Sequence, residues 1–176
     1  MNKRTTIIVV AVLLALLALI LFGPRKVFKE NIEYDIRNIV VNQTNHDYYE
    51  DIVNVGLNEL CIEGEVVLIQ FHRADEEIEG LDLRGAIFTN GQQYLINLYD
   101  LKQREAIEVI AHELIHLEQY RSKRLVGTKD TIFFEGVGYK KGQLPAYRKR
   151  PWEAEAFRRQ VPLQKAIQDI VLEYKE

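Results

Sequence analysis

Only one cysteine, Cys61, occurs in the 176 residues, which excludes an internal disulfide and any cysteine-built metal cluster. It sits in the apolar stretch Leu60-Cys61-Ile62 and is expected to be a small buried hydrophobe. Four prolines and ten glycines never gather into a linker, and no internal repeat or low-complexity tract interrupts the chain. No charge of one sign dominates, since 23 basic and 26 acidic side chains leave a net charge of −3. With 47% apolar and 28% charged residues, disorder, collagen and coiled-coil arrays are excluded too. The length suits one domain with a sizeable core.

That average conceals an uneven distribution. Residues 7–22 form an unbroken apolar run, and residues 5–23 carry no charge. A helix of that length reaches about 28 Å, close to the hydrocarbon thickness of a bilayer. Lys3 and Arg4 flank one end; Arg25, Lys26 and Lys29 flank the other. A cleaved signal is the competing reading, but its core is shorter and exits through small residues. Here the exit is Phe22-Gly23-Pro24-Arg25, so a single transmembrane anchor over residues 5–23 is expected, at a membrane and single-pass. Both flanks are basic, so orientation is undetermined. The rest, from Arg25 on, keeps 21 basic and 26 acidic side chains, a charge of −5. That acidity argues against nucleic acid as a partner.

One domain is expected over residues 31–176, in the α+β class. Residues 32–41 read as a first strand, 45–60 as a helix and 65–71 as a strong strand. Residues 75–82 are acidic and read as a solvated loop. Residues 85–89 and 92–99 flank Asn90-Gly91, the favoured two-residue hairpin turn. Residues 101–123 form a long helical segment without Gly or Pro. Residues 131–141, aromatic and glycine-bearing, read as strand or loop. Pro151 suits a first helical position, and Pro162 is expected to break or kink that helix before a final amphipathic one.

The long helix carries His112-Glu113-Leu114-Ile115-His116. Residues four apart share a helix face, so both imidazoles can reach one zinc ion at about 2.0–2.1 Å. Glu113 lies beside them, offset from the best ligand position and close enough to act as a general base on water. Burying two histidines and a glutamate among Ile107, Ile110, Ala111, Leu114 and Leu117 is costly unless metal or hydrogen bonds satisfy them. A catalytic zinc needs a third protein ligand and an open position. His46 and His72 lack any motif context. Glu153 and Glu155 fall in the first turn of the helix opened by Pro151, about 200° apart, so only one can face the metal. Either could instead simply complement the helix dipole.

These residues resemble the gluzincin metallopeptidases, and more closely small phage and bacterial zincin-like proteins with a Tyr…Arg-Pro-x-Glu-x-Glu-Ala stretch after the zinc helix. Here that stretch is Tyr147 and Arg150-Pro151-Trp152-Glu153-Ala154-Glu155-Ala156. The resemblance spans about residues 101–157. It implies a zincin-like domain: a small mixed sheet whose edge strand packs on the zinc helix and adds a peptide substrate as an extra strand. Either strand of the 84–98 hairpin could be that edge. Gluzincins place the third ligand three residues before a small residue. Glu153 stands three before Ala156, so it is preferred to Glu155. Many members continue with an aspartate that orients a ligand histidine; this chain has Phe157, so that partner must come from elsewhere.

The implied function is a membrane-anchored zinc peptidase acting on a protein or peptide, with His112, His116 and Glu153 on Zn²⁺ and Glu113 as base. Tyr147, then Tyr139, are candidate donors to the oxyanion. Lys140, Lys141, Arg148, Lys149 and Arg150 form a basic stretch suited to acidic substrates, anionic headgroups or plain solvation. The alternative is a non-catalytic anchored module that keeps the fold for binding; an intact Glu113 argues against it.

Overall fold

The computed structural model describes residues 38–44, 48–72, 84–99, 101 and 103–172. The apolar run, the acidic 75–82 stretch, His46 and most of the expected first strand lie outside them. Among the described residues no helix is long and apolar enough to cross a membrane.

The described residues are mixed α+β, with two sheets and three α-helices among them. The larger sheet contains β1 (Ile39–Asn42), β2 (Val66–His72), β3 (Gly85–Thr89) and β4 (Tyr94–Tyr99), in the order β1-β2-β4-β3. β1, β2 and β4 are parallel; β3 lies antiparallel on β4 and forms an edge. Alternation sends one register row inward, Ile69–Ile96–Ile87, beside Val40–Val67–Tyr94. The opposite face carries Val41, Leu68, Leu95 and Phe88 in one row, its two ends exposed.

Three helices supply the rest of the core: α1 (Tyr48–Glu59), α2 (Gln103–Arg121) and α3 (Pro151–Leu172). The fully buried residues of α2, Ile107, Ile110, Ala111, Leu114, Ile115 and Leu117, cover more than a stripe, because the helix is enclosed by sheet, α1 and α3. Gly56 permits the α1 contact, since a Cβ there would lie 2.3 Å from Leu114 Cδ1.

Several expectations change. Cys61 is exposed, at φ 53°. It occupies the left-handed position of a Schellman turn that ends α1, with Ile62 N–H bonded to Leu57 O at 2.9 Å and Cys61 N–H to Asn58 O at 2.9 Å. Ile62 takes the buried place instead. The hairpin loop has four residues, because Thr89 pairs with Tyr94. Asn90 Oδ1 accepts from the N–H groups of Gln92 and Gln93, a side-chain bond that widens the turn. Residues 131–141 become β6 (Thr131–Phe134), β7 (Val137–Lys140) and a 3₁₀ turn, Lys141–Gln143. With β5 (Leu125–Gly127), not anticipated, they form a small antiparallel sheet. Its Leu125 and Phe134 pack on Trp152, which joins this sheet to the start of α3.

Pro151 does open α3, but Pro162 does not break it. Buried side chains on both sides of the proline, Ala156 and Gln160 before it, Leu163, Ile167 and Val171 after, pin one continuous face. Tertiary burial there outweighs the single lost backbone hydrogen bond.

Candidate metal centre

Two helices bring three side chains together. His112 and His116 project from one face of α2, and Glu153 projects from the first turn of α3; all three are buried. His112 Nε2 and His116 Nε2 each lie 3.2 Å from Glu153 Oε2, and 3.1 Å from one another. These residues form a group that could hold a metal ion.

The other ring nitrogens show which way the Nε2 atoms face. His116 Nδ1 lies 2.8 Å from Gln119 Oε1. Gln119 Nε2 donates to Trp152 O at 3.1 Å and to Glu155 Oε2 at 3.3 Å. Both of those partners only accept, so Gln119 Oε1 must face the histidine, and His116 carries its proton on Nδ1. His112 Nδ1 likewise donates to Gln160 Oε1 at 2.7 Å. In the neutral rings both Nε2 lone pairs therefore point at a carboxylate oxygen. Three acceptors converging in a buried space repel unless a proton or a metal ion sits among them.

The electrostatics agree. Burial alone would raise the Glu153 carboxyl, but with a proton shared from the imidazoles, His112 and His116 outweigh it and, with Tyr147, hold it down at about 2. Burial would depress His116, yet its bond to Glu153 and the charges of Glu113 and Glu153 hold it above the usual imidazole value. Glu113 is pushed above the ordinary carboxylate range by burial, more than the two histidines and the Ile87 N–H offset.

Glu155 does not join the cluster. It is bound to Arg124 at 2.6 Å and to Arg159 at 3.0 Å. The approach of Arg124 follows from a second Schellman turn, at the end of α2, with Lys123 at φ 58° and Arg124 N–H bonded to Gln119 O at 2.9 Å. Thus Glu155 holds Gln119, and Gln119 holds His116. Phe157, four residues after Glu153, packs on the His112 ring at 4.7 Å between centroids. The orienting partner expected at that position comes instead from Gln160, three residues further along α3.

Sequence reasoning missed Gln119 and Gln160. Their spacing was a usable signal: Gln119 is three residues after His116, and Gln160 seven after Glu153, each on its ligand's helix face. Of the tyrosines, Tyr147 stands at the cluster, lining the cleft with Glu153; burial and the Glu153 charge raise its hydroxyl pKa. Tyr139 packs edge-on against Trp152 at 5.5 Å and lines neither cleft. Tyr120, unanticipated, lines the cleft with its hydroxyl pKa raised by burial and by the charges of Glu113 and Glu153. His72 is elsewhere, 3.2 Å from Asn97 Oδ1 and stacked on Tyr99.

Two clefts reach the cluster. One, of about 610 Å³, runs from β3 past Glu113, His116 and Glu153 to the small sheet. The other, of about 400 Å³, runs past His112 and Phe157. Gly85, Glu113 and Tyr147 border both. Gly85 lets β3 lie against α2, because a Cβ there would sit 2.3 Å from Val109 Cγ1 and 3.2 Å from Glu113 Oε1. Arg84 bonds Tyr99 across the ladder, so by alternation Gly85 and Ile87 turn their main-chain groups to the open edge.

Comparisons with known protein families, with curated proteins and with solved structures find no match for this chain.

Proposed function

We propose that the chain is a zinc metallopeptidase of zincin-like type, with His112, His116 and Glu153 as ligands and Glu113 as general base. The observation that carries this is the convergence of two imidazole lone pairs and one carboxylate oxygen, 3.1–3.2 Å apart, beside a buried glutamate. Tetrahedral ligands at zinc distances stand about 3.4 Å apart, so the observed spacing needs little adjustment. Two nitrogens and one oxygen, with a cleft opening on the fourth side, are the donor set of a hydrolytic zinc site.

Bound zinc would supply Lewis acidity toward a water and toward the scissile carbonyl. The chain's own groups do the rest. The edge of β3, through Gly85 and the Ile87 carbonyl, accepts an extended peptide by main-chain bonds. Glu113, held by the Ile87 N–H and with its pKa raised, takes the proton from water and delivers it to the leaving nitrogen. Tyr147 and Tyr120 border the space where negative charge develops on the carbonyl oxygen and can donate to it. Glu153, as a ligand, would stay ionised, since a coordinating carboxylate is deprotonated. The tether reading rests on residues 5–23 alone: an N-terminal helix in a lipid bilayer would keep this domain at a membrane surface, acting on peptides there.

The test pairs zinc measurement with activity. Full-length chain in detergent is expected to hold one zinc and to cleave a mixed peptide library. Glu113→Gln is expected to keep the zinc and lose cleavage by at least about 10²-fold, the usual scale of general-base removal. Equal cleavage by both proteins would remove Glu113 from the mechanism. Bound zinc without cleavage by either would leave a binding module.

A further inference from the structure

The chain is acidic, but its larger cleft is not. Apart from Glu113 and Glu153, no acidic side chain among the described residues lines that cleft, whereas Lys141 and Arg150 both do. Neither cation forms an ion pair with a carboxylate among the described residues. Lys141 enters only through its backbone, its N–H bonding Asp130 O at 3.0 Å. Arg150 uses Nε on Pro145 O at 3.2 Å and lies over the Tyr147 ring at 5.3 Å. The arginines outside the cleft lining differ: Arg121, Arg124 and Arg159 each close on a carboxylate within 2.8 Å. The smaller cleft differs as well: its Arg84 pairs with Glu105 at 2.7 Å, and Glu108 joins its lining.

Part of the same lining is apolar or aromatic: Tyr120, Leu125, Ile132 and Trp152. Leu125 and Trp152 are almost fully buried, so this wall is built into the small sheet and the start of α3. An apolar wall beside two uncompensated cations matches a side chain with a short aliphatic stem and a terminal carboxylate. Zinc with Glu113 and Glu153 would be neutral as a set, leaving the cleft with the positive charge of Lys141 and Arg150.

Resting on the metallopeptidase reading, we propose that the larger cleft selects a carboxylate-bearing residue next to the scissile bond, a glutamate or aspartate side chain, through Lys141 and Arg150. The carboxylate of a peptide C-terminus has the same chemistry, and the test separates the two sources.

The probes are hydroxamates, which bind metal without being cleaved. Two series cover the two sides of the scissile bond: acetyl-Xaa hydroxamates and succinyl hydroxamates amidated with Xaa-amide, where Xaa is Glu, Gln or Leu. A succinyl hydroxamate ending in Leu with a free carboxylate tests the chain terminus. Affinities are measured by calorimetry on the zinc-loaded full-length chain in detergent. In one series Glu should bind about tenfold tighter than Gln, the scale of one charge-assisted hydrogen bond, and the gain should shrink with salt. Lys141→Gln, at an exposed position, should bring that ratio near unity with zinc content and circular dichroism unchanged; Lys141→Glu should invert it. If the free-acid Leu probe shows the preference and Glu shows none, the cleft reads chain ends and the side-chain proposal is overturned. Equal binding of Glu and Gln in both series, or a preference untouched by Lys141→Glu, overturns it too. Zinc retained with no hydroxamate binding, or no zinc at all, removes the metallopeptidase reading, and this inference with it.

Discussion

Replacing Gln119 with leucine tests the logic of the metal centre without touching a ligand. Gln119 is fully buried, and its amide is used at both ends. It accepts from His116 Nδ1 at 2.8 Å and donates to Trp152 O at 3.1 Å and Glu155 Oε2 at 3.3 Å. Leucine has similar volume, so cavity formation is small and the loss is polar. His116 N–H and the Trp152 carbonyl are left unpaired in a dry place, at about 1–3 kcal/mol each. Glu155 keeps Arg124 and Arg159, so its loss is minor. The expected destabilisation is therefore roughly 2–5 kcal/mol, reduced by the apolar gain of leucine. The His116 ring also loses the acceptor that sets its tautomer and angle. Zinc affinity should then fall by about 10- to 100-fold, the usual effect of removing a ligand's orienting partner. Competition with a chromophoric chelator measures this directly, and urea titration of the metal-free form measures the stability separately. Wild-type zinc affinity in a folded Gln119→Leu chain would refute the argument that this amide directs the His116 lone pair.

Further outcomes follow from the same geometry. Glu153→Ala should abolish tight zinc binding, whereas Glu155→Ala should weaken it less and mainly lower stability by leaving Arg124 and Arg159 short of a partner; chelator titration and thermal melts distinguish the two. Gly85→Ala should cost about 1–3 kcal/mol and reduce cleavage, because the new methyl group displaces Val109 and presses on Glu113; melting curves and peptide assays report both. Zinc uptake should fall as pH drops from about 8 to 5, since both imidazoles must be deprotonated to bind. Without metal the His116 contribution has the opposite sign. Its raised pKa adds stability that is complete below the unfolded value and is lost as pH rises through the folded one, so with chelator present the urea midpoint should be higher near pH 6 than near pH 8.

Local order along the chain was legible because it depends on neighbours in sequence. The spacing of His112 and His116 set both imidazoles on one helix face, the apolar residues around them announced a buried helix, and Pro151 marked where α3 starts. The α+β class followed from the same periodicities. Other features depend on residues far apart, and local periodicity did not decide them. Whether Glu153 or Glu155 faces the histidines was decided by Arg124, which a Schellman turn brings back over the end of α2 to claim Glu155. Pro162 sits within an unbroken helix because buried contacts on both sides outweigh one lost hydrogen bond. Cys61 faces solvent because a left-handed turn residue was needed there and Ile62 took the core. The partners of the two histidines, Gln119 and Gln160, emerge only once α2 and α3 pack. Sequence periodicity thus determined which faces the helices present, since a helix repeats every 3.6 residues whatever surrounds it. Tertiary packing decided which polar groups meet between those faces, because in a dry interior each donor and acceptor must find a partner, and the available partners come from distant segments.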